Sequence, residues 1–215
     1  MTEYRVLEPN VDRYLLELVP PRHPVLTRME EHAAATGFPI IGPVVGQLCY
    51  VVARALGARR VFELGSGFGY STAWFARAVK ENGGGEVHHV VWDDELSNEA
   101  RQNIAALGLS DVVHFTIGEA VETLRASSGD LDIIFNDIDK HGYPHALPVI
   151  EAKLRRGGLL IADNMIWHGR IFDEGDRSAD TEGIRAFTQL VMQSPGWSAS
   201  IIPIRDGVLL AHWNG

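Results

Sequence analysis

The chain has 215 residues, of which 46% are hydrophobic and 22% charged, as is typical of a globular protein with a substantial core. The formal net charge of −9 disfavours a large basic surface for nucleic acid, although it leaves room for a local basic patch. Neither a signal-peptide pattern at the start nor an apolar run near the roughly 20 residues that span a bilayer is present. We therefore expect a soluble cytoplasmic protein without membrane contact, in which the single cysteine, Cys49, is a core residue.

The whole chain, 1–215, is expected to form one domain, with residues 1–57 as a helical N-terminal extension. Apolar residues recur at helical spacing, interrupted by Pro20 and Pro21, and the helices are predicted over 11–18, 25–36 and 46–56. These helices could cover a sheet, act as a lid or pair two copies of the chain.

From about residue 60, strand-like and helix-like segments alternate. Strands are predicted over 60–64, 86–92, 112–116, 131–136 and 158–162. Helices are predicted over 70–80, 95–107, 119–125, 143–154 and 181–193. This alternation predicts an α/β fold, in which a parallel sheet carries helices on both faces.

The end of the chain departs from the alternation. Residues 198–205 and 208–213 both have strand patterns, and Asp206-Gly207 between them predicts a two-residue hairpin turn with positive φ at both positions. Because no helix fits between these strands, they must be antiparallel. A parallel sheet that ends in one reversed strand differs from most dinucleotide-binding folds.

A glycine-rich turn follows the first predicted strand. It has the sequence Glu63-Leu64-Gly65-Ser66-Gly67-Phe68-Gly69-Tyr70-Ser71. Alternate glycines let the backbone amides and the helix N-terminus approach a ligand, but a dinucleotide site would place its third glycine later. Glu63 can organise the turn or receive the ammonium of S-adenosylmethionine, while Ser71 can bind its carboxylate. A plain strand–helix turn and an NAD(P) site are the alternatives.

Acidic and amide side chains follow the fourth and fifth predicted strands. Asp137 ends the fourth strand, and Asp163 and Asn164 end the fifth, so they should meet at one edge of the sheet. Their oxygens suit Mg²⁺. Lys140 could stand beside the metal as a general base, because a cation favours neutral lysine. Alternatively, Asp139 and Lys140 are a solvated pair that caps the next helix, and Asp163-Asn164 is a turn or a helix cap.

These motifs resemble the cation-dependent O-methyltransferases that include the catechol and caffeoyl-CoA enzymes, especially small bacterial members. The resemblance extends from about residue 6 to 213. It is strongest over 62–71, 137–140, 157–164 with 167 and 169, and 206–207. It implies the class I, Rossmann-like methyltransferase fold, with seven mostly parallel strands and an antiparallel C-terminal hairpin strand, and it suggests a homodimer.

The resemblance also implies roles for individual residues. Asp137, Asp163 and Asn164 would bind the metal, and Lys140 would be the general base. The residues implied to contact S-adenosylmethionine are Ile41, Gly42, Glu63, Gly65, Gly67, Gly69, Tyr70, Ser71, Ala120 and Asp137.

One position departs from the family pattern. The second strand usually ends in an acid that binds the ribose hydroxyls, but this chain has Val91 there, followed by Trp92 and Asp93. Either Asp93 takes over the ribose contact, or ribose recognition is altered.

The implied reaction is an in-line methyl transfer. A metal-bound acceptor hydroxyl loses its proton to Lys140 and attacks the sulfonium methyl carbon. A small catechol-like or phenolic acceptor is favoured, because vicinal oxygens chelate a metal well. Trp167, His168 and residues 22–23 could flank it, although His168 could equally be an exposed loop residue.

A tRNA-hydroxyl methyltransferase would share these motifs. An NAD(P) oxidoreductase would need a different catalytic arrangement, and a non-catalytic scaffold would be expected to lose the metal residues or Lys140.

Overall fold

The fold is a seven-stranded sheet with helices on both faces, seen in a computed structural model that describes residues 9–215. The strand order is β3-β2-β1-β4-β5-β7-β6. The strands are β1 (Arg60–Leu64), β2 (Glu86–Val91), β3 (Val113–Ile117), β4 (Leu131–Asn136), β5 (Leu154–Ala162), β6 (Trp197–Ile202) and β7 (Val208–Trp213). Strands β1 to β5 pair in parallel, and β7 is antiparallel to both β5 and β6. The predicted mostly parallel sheet with one reversed strand is confirmed.

Helices separate the parallel strands, as the alternation predicts. They are α1 (Pro9–Leu18), α2 (Pro24–Thr36), α3 (Gly42–Leu56), α4 (Tyr70–Glu81), α5 (Asp94–Ala106), α6 (Ala120–Ala126), α7 (Tyr143–Lys153) and α8 (Ala179–Gln193). Short 3₁₀ helices cover Ser110–Val112, Lys140–Gly142 and Trp167–Phe172. Residues 1–8 of the predicted extension, and residues 6–8 of the family resemblance, lie outside the described residues.

Side chains that alternate along the strands form two cores, one on each face of the sheet. Ile133 and Phe135 pack with the helices before β3, and Ile134 packs on the opposite face with α7 and α8. Each fully buried side chain of this size stabilises the fold by about 2 kcal/mol. Cys49 on α3 is fully buried, which confirms it as a core residue.

Helices α2 and α3 of the N-terminal extension cover one face of the sheet. Val25 and Met29 of α2, and Val45 of α3, are buried in the same core as α4. The extension therefore has the covering role, while dimerisation stays a prediction. Over residues 9–215, the helices are all too short or too polar to cross a bilayer.

Two element starts differ from the sequence prediction by four residues, the largest differences among the element boundaries. Helix α3 begins at Gly42 rather than at residue 46, since Pro43 fits the first helical turn. Strand β5 begins at Leu154 rather than at residue 158, because Leu154 pairs with Leu131 before the register shifts.

The turn between β6 and β7 is longer than predicted. Ile202 pairs with Val208, so residues 203–207 form the connection. Positive φ occurs at Arg205 (48°) and Gly207 (82°), but Asp206 is not among the residues with positive φ. The predicted two-residue turn is therefore wrong: Pro203 has no N–H for the β6–β7 ladder. The carbonyl oxygens of Asp206 and Gly207 instead accept from Ile166 N at 2.8 Å and from Met165 N at 3.0 Å.

Candidate active site

A cleft of about 1630 Å³ opens at the carboxyl ends of the parallel strands. It exceeds the roughly 300–1,000 Å³ of a typical small-molecule pocket, so it has room for two ligands. Most of the predicted site residues line it: Ile41, Gly42, Gly65, Gly67, Tyr70, Ser71, Ala120, Asp137, Lys140, Asp163, Asn164, Trp167 and His168. Glu63, Gly69 and Asp93 are not among the lining residues.

The glycine turn packs directly on the residue that follows β4. Gly65 has φ 85°, and a Cβ there would lie 2.6 Å from the Asp137 carbonyl oxygen. Asp137 N also donates to Leu64 O at 2.9 Å. Only glycine permits this close approach. The glycine turn and Asp137 therefore form one continuous wall of the cleft.

Glu63 lies beneath the glycine turn rather than in the cleft. Thr72 donates its hydroxyl proton to Glu63 Oε2, and Thr72 Oγ1 lies 3.0 Å from His89 Nδ1. The Ser71 hydroxyl lies near enough to Glu63 to lower its pKa, although Glu63 Oε1 has no partner of good hydrogen-bond geometry among the described residues. Burial raises the pKa of Glu63 to about 7 and lowers the pKa of His89 to about 3. The geometry matches the expectation that Glu63 organises the turn, and it does not place this carboxylate against a ligand in the cleft.

The end of β2 presents apolar and aromatic surface to the cleft. Val91 and Trp92 line it, and Trp92 is 71% exposed. Asp93 instead accepts a hydrogen bond from Leu96 N at 2.8 Å and caps α5. One oxygen of Asp93 therefore has a local capping role, and the expected ribose contact stays a prediction.

Asp137 and Asp163 lie side by side at the ends of β4 and β5. Asn136 pairs with Ala162, so the two aspartates are the next residues on neighbouring parallel strands. Asp163 is only 5% exposed, and its Oδ1 has no hydrogen-bond partner among the described residues. Burial raises the pKa of both carboxyl groups, and the charge of Asp137 raises that of Asp163 further. Two neighbouring carboxylates, Asp163 buried and Asp137 25% exposed on its side chain, favour a bound cation.

The donor set for such a cation is two carboxylates and an amide. Within residues 9–215, no three histidine, cysteine or acidic side chains gather into a metal site. Asn164, two residues after β5, lines the cleft and would supply the third oxygen. The unpaired Asp163 oxygen and the hard oxygen donors fit Mg²⁺.

Lys140 is buried beside Asp137. Its ammonium donates to Asp137 Oδ1 at 2.7 Å and to the Ile138 carbonyl oxygen at 3.0 Å. The ammonium also lies 5.3 Å from the ring centre of Tyr143 and 5.9 Å from that of Trp167. Lys140 is thus not a solvated capping residue, and its amine faces the cleft.

Sequence reasoning missed Tyr143 and Arg205. The Tyr143 hydroxyl lies 3.0 Å from the Asn136 carbonyl oxygen and 3.1 Å from that of Asp163, so it joins the two strand ends. Arg205 lines the cleft and donates to the Ile40 carbonyl at 2.7 Å. No local pattern marks either residue, because Tyr143 joins two strand ends that meet only in the fold and Arg205 contacts a residue 165 positions earlier. His168 is 73% exposed on its side chain, in agreement with the loop alternative, although it also lines the cleft.

Comparison with known proteins agrees with this geometry. Residues 22–213 match a family described as O-methyltransferase. The chain is 30% identical to a catechol O-methyltransferase of Niastella koreensis, covering 94% of this chain and 96% of that protein. It is also 30% identical to a catechol O-methyltransferase of Mycobacterium tuberculosis, with 90% and 88% covered.

Solved structures of O-methyltransferases also have this fold. An O-methyltransferase from Bacillus cereus in complex with SAH superposes with a TM-score of 0.85 at 28% identity, covering 95% of this chain and 97% of that one. The sheet order, the glycine turn and these likenesses together show that the chain belongs to the S-adenosylmethionine-dependent O-methyltransferase family.

Proposed function

We propose that this enzyme methylates a hydroxyl of a small catechol-like acceptor with the help of a divalent cation, Mg²⁺. The observation that carries the proposal is the pair of adjacent aspartates, Asp137 and Asp163, with an unpaired buried oxygen on Asp163. Asn164 completes the set of oxygen donors. A cation held there supplies Lewis-acid chemistry, which lowers the pKa of a coordinated hydroxyl.

Lys140 would take the acceptor proton. Asp137 Oδ1 and the Ile138 carbonyl fix its amine at the floor of the cleft. In the free enzyme this ammonium also balances the charge of Asp137. A neutral amine in the same place can accept a proton from a hydroxyl at hydrogen-bond distance.

The wall formed by the glycine turn would hold the methionine end of S-adenosylmethionine. The backbone amides of Gly65, Gly67 and Phe68 and the hydroxyl of Ser71 suit its carboxylate, since they line the cleft near the N-terminus of α4. The amides of Ser66 and Gly69 already donate to the Val90 and Ser66 carbonyl oxygens. This arrangement directs the sulfonium methyl toward Asp137 and Lys140. Much of the rate acceleration would come from holding the acceptor oxygen and the methyl carbon at about 3–3.5 Å.

A vicinal diol is the favoured acceptor, because two neighbouring oxygens can bind one cation together. The ring of Trp167 lies beside Lys140 and offers a flat apolar surface for an aromatic acceptor. Two relatives carry the name catechol O-methyltransferase, which supports this acceptor class. The net charge of −9 disfavours RNA.

An acceptor panel tests the proposal. We expect purified enzyme with S-adenosylmethionine and Mg²⁺ to methylate catechols much faster than the corresponding monophenols, measured by mass spectrometry. The Lys140→Met variant should lose this activity and retain its affinity for S-adenosylhomocysteine. Lys80→Met is a matched control, since Lys80 pairs with Asp111 on the surface and does not line the cleft. Equal rates with monophenols, or a preference for a hydroxylated RNA nucleoside, would contradict the acceptor class.

A further inference from the structure

Asp206, in the turn between β6 and β7, holds the segment that carries Asn164. Its side chain is 12% exposed. Asp206 Oδ2 accepts from Asn164 Nδ2 at 3.0 Å, and Oδ1 accepts from His168 N at 2.5 Å. The Asp206 carbonyl oxygen accepts from Ile166 N at 2.8 Å. One residue of the hairpin therefore binds three residues of the loop after β5.

This loop has a strained backbone. Five non-glycine residues among those described have positive φ, and three of them lie in this loop: Asn164 (60°), Trp167 (50°) and His168 (54°). A fourth, Arg205 (48°), lies in the turn that faces the loop. Such conformations cost on the order of 1–3 kcal/mol each and persist only where the surroundings fix them. The hydrogen bonds from the loop to Asp206 provide that fixation.

Backbone packing keeps the turn against the loop. Met165 N donates to the Gly207 carbonyl at 3.0 Å. A Cβ at Gly207 would lie 2.6 Å from Ile166 Cγ1, so no larger residue fits without a shift. The carboxylate of Asp206 is thus held in a defined position relative to Asn164.

We propose that Asp206 is a positioning residue that orients the Asn164 amide toward the cation of the proposed function. A carboxylate only accepts hydrogen bonds, so the Asn164 NH₂ group must face Asp206. The side-chain oxygen of Asn164 then lies on the side of the amide that faces away from Asp206. This oxygen forms no hydrogen bond with the described residues. Partners that orient ligands in this way typically contribute 10- to 100-fold to metal affinity.

Mn²⁺ binding to the purified protein, measured by electron paramagnetic resonance, tests this role without any turnover. We expect Asp206→Asn to weaken Mn²⁺ binding by roughly 10- to 100-fold. The introduced amide can accept from His168 N with its oxygen, which turns its NH₂ group toward Asn164 and reverses the Asn164 amide. Affinity for S-adenosylhomocysteine in the absence of metal should stay within about twofold. Asp176→Asn is the control, since Asp176 accepts from Arg170 and Ser178 outside the cleft.

A double-variant cycle separates positioning from general damage to the loop. In an Asn164→Asp background, both oxygens of the new side chain are equivalent ligands, so its orientation no longer depends on Asp206. Asp206→Asn should therefore weaken Mn²⁺ binding much less there, by at most about threefold, than in the parent chain. An equal weakening in both backgrounds would reflect the lost charge or general damage to the loop and would overturn the positioning role.

The outcomes also separate this inference from the proposed function on which it rests. If Asp163→Asn abolishes Mn²⁺ binding but Asp206→Asn binds like the parent chain, the positioning role is wrong and the metal site stands. If the parent chain itself binds no Mn²⁺, both the proposed metal site and the role of Asp206 are overturned.

Discussion

Replacing Glu63 by glutamine should make the enzyme more stable at alkaline pH relative to the parent chain. Glu63 is fully buried, and Thr72 donates to one of its oxygens while the other has no partner of good hydrogen-bond geometry among the described residues. The Glu63→Gln side chain keeps the shape and still accepts from Thr72. The variant therefore removes the ionisable group and changes little else.

The magnitude follows from the pKa of Glu63. The difference between about 7 in the folded chain and 4.5 in the unfolded chain corresponds to about 3 kcal/mol, at about 1.4 kcal/mol per pKa unit. Because the folded pKa is raised, the folded chain binds more protons between these values. The contribution of Glu63 to the free energy of unfolding is thus fully present below pH 4.5 and is lost as the pH rises through 7.

His89 has the opposite dependence. Its pKa falls from 6.5 to about 3 on folding, so its contribution to stability is present above pH 6.5 and is lost as the pH falls toward 3. Both proteins contain His89, and its effect cancels when their free energies of unfolding are subtracted.

Urea unfolding of both proteins without ligand, from pH 5 to pH 8, measures the difference. We expect the Glu63→Gln variant to gain about 2–3 kcal/mol relative to the parent chain over this range. A difference that stays constant with pH would refute the reasoning, since Glu63 would then ionise at its ordinary pKa.

Three further substitutions have definite expected outcomes. Gly65→Ala should weaken S-adenosylhomocysteine binding at least roughly tenfold by titration calorimetry, because its Cβ would meet the Asp137 carbonyl at 2.6 Å; unchanged affinity would contradict this packing. Val91→Glu should strengthen the same binding about fivefold through the ribose hydroxyls, and no gain would mean that the ribose lies elsewhere. Thr72→Val should lower the free energy of unfolding by about 1–3 kcal/mol in urea, since Glu63 loses its buried donor; an unchanged value would show that this hydrogen bond contributes nothing.

The sheet and the main site residues could be predicted from sequence, because they depend on local patterns. Apolar runs that alternate with helical segments predict a parallel sheet with helices on both faces, although not the order of its strands. The rule that parallel strands end at one edge then brings Asp137, Asp163 and Asn164 together. The position of Lys140 beside this site can also be predicted, since it lies only three residues beyond Asp137.

The residues that sequence reasoning missed or misplaced depend on distant contacts or on competing local roles. The sequence predicts Asp206 as one residue of a hairpin turn. Its carboxylate instead accepts hydrogen bonds from Asn164 and His168, in a loop about 40 residues earlier in the chain. Tyr143 joins two strand ends that are adjacent only after folding. Asp93 has a second role that the sequence analysis did not state, since its carboxylate caps α5 through Leu96 N.

The most direct test of the metal-dependent mechanism is methyl transfer from S-adenosylmethionine to a catechol by chelator-treated enzyme, titrated with Mg²⁺. We predict no product above background without metal, a saturable rate with Mg²⁺, and loss of that rate in the Asp163→Asn variant. A rate that is unaffected by the chelator, or by Asp163→Asn, would contradict the assignment of Asp137, Asp163 and Asn164 as a metal site.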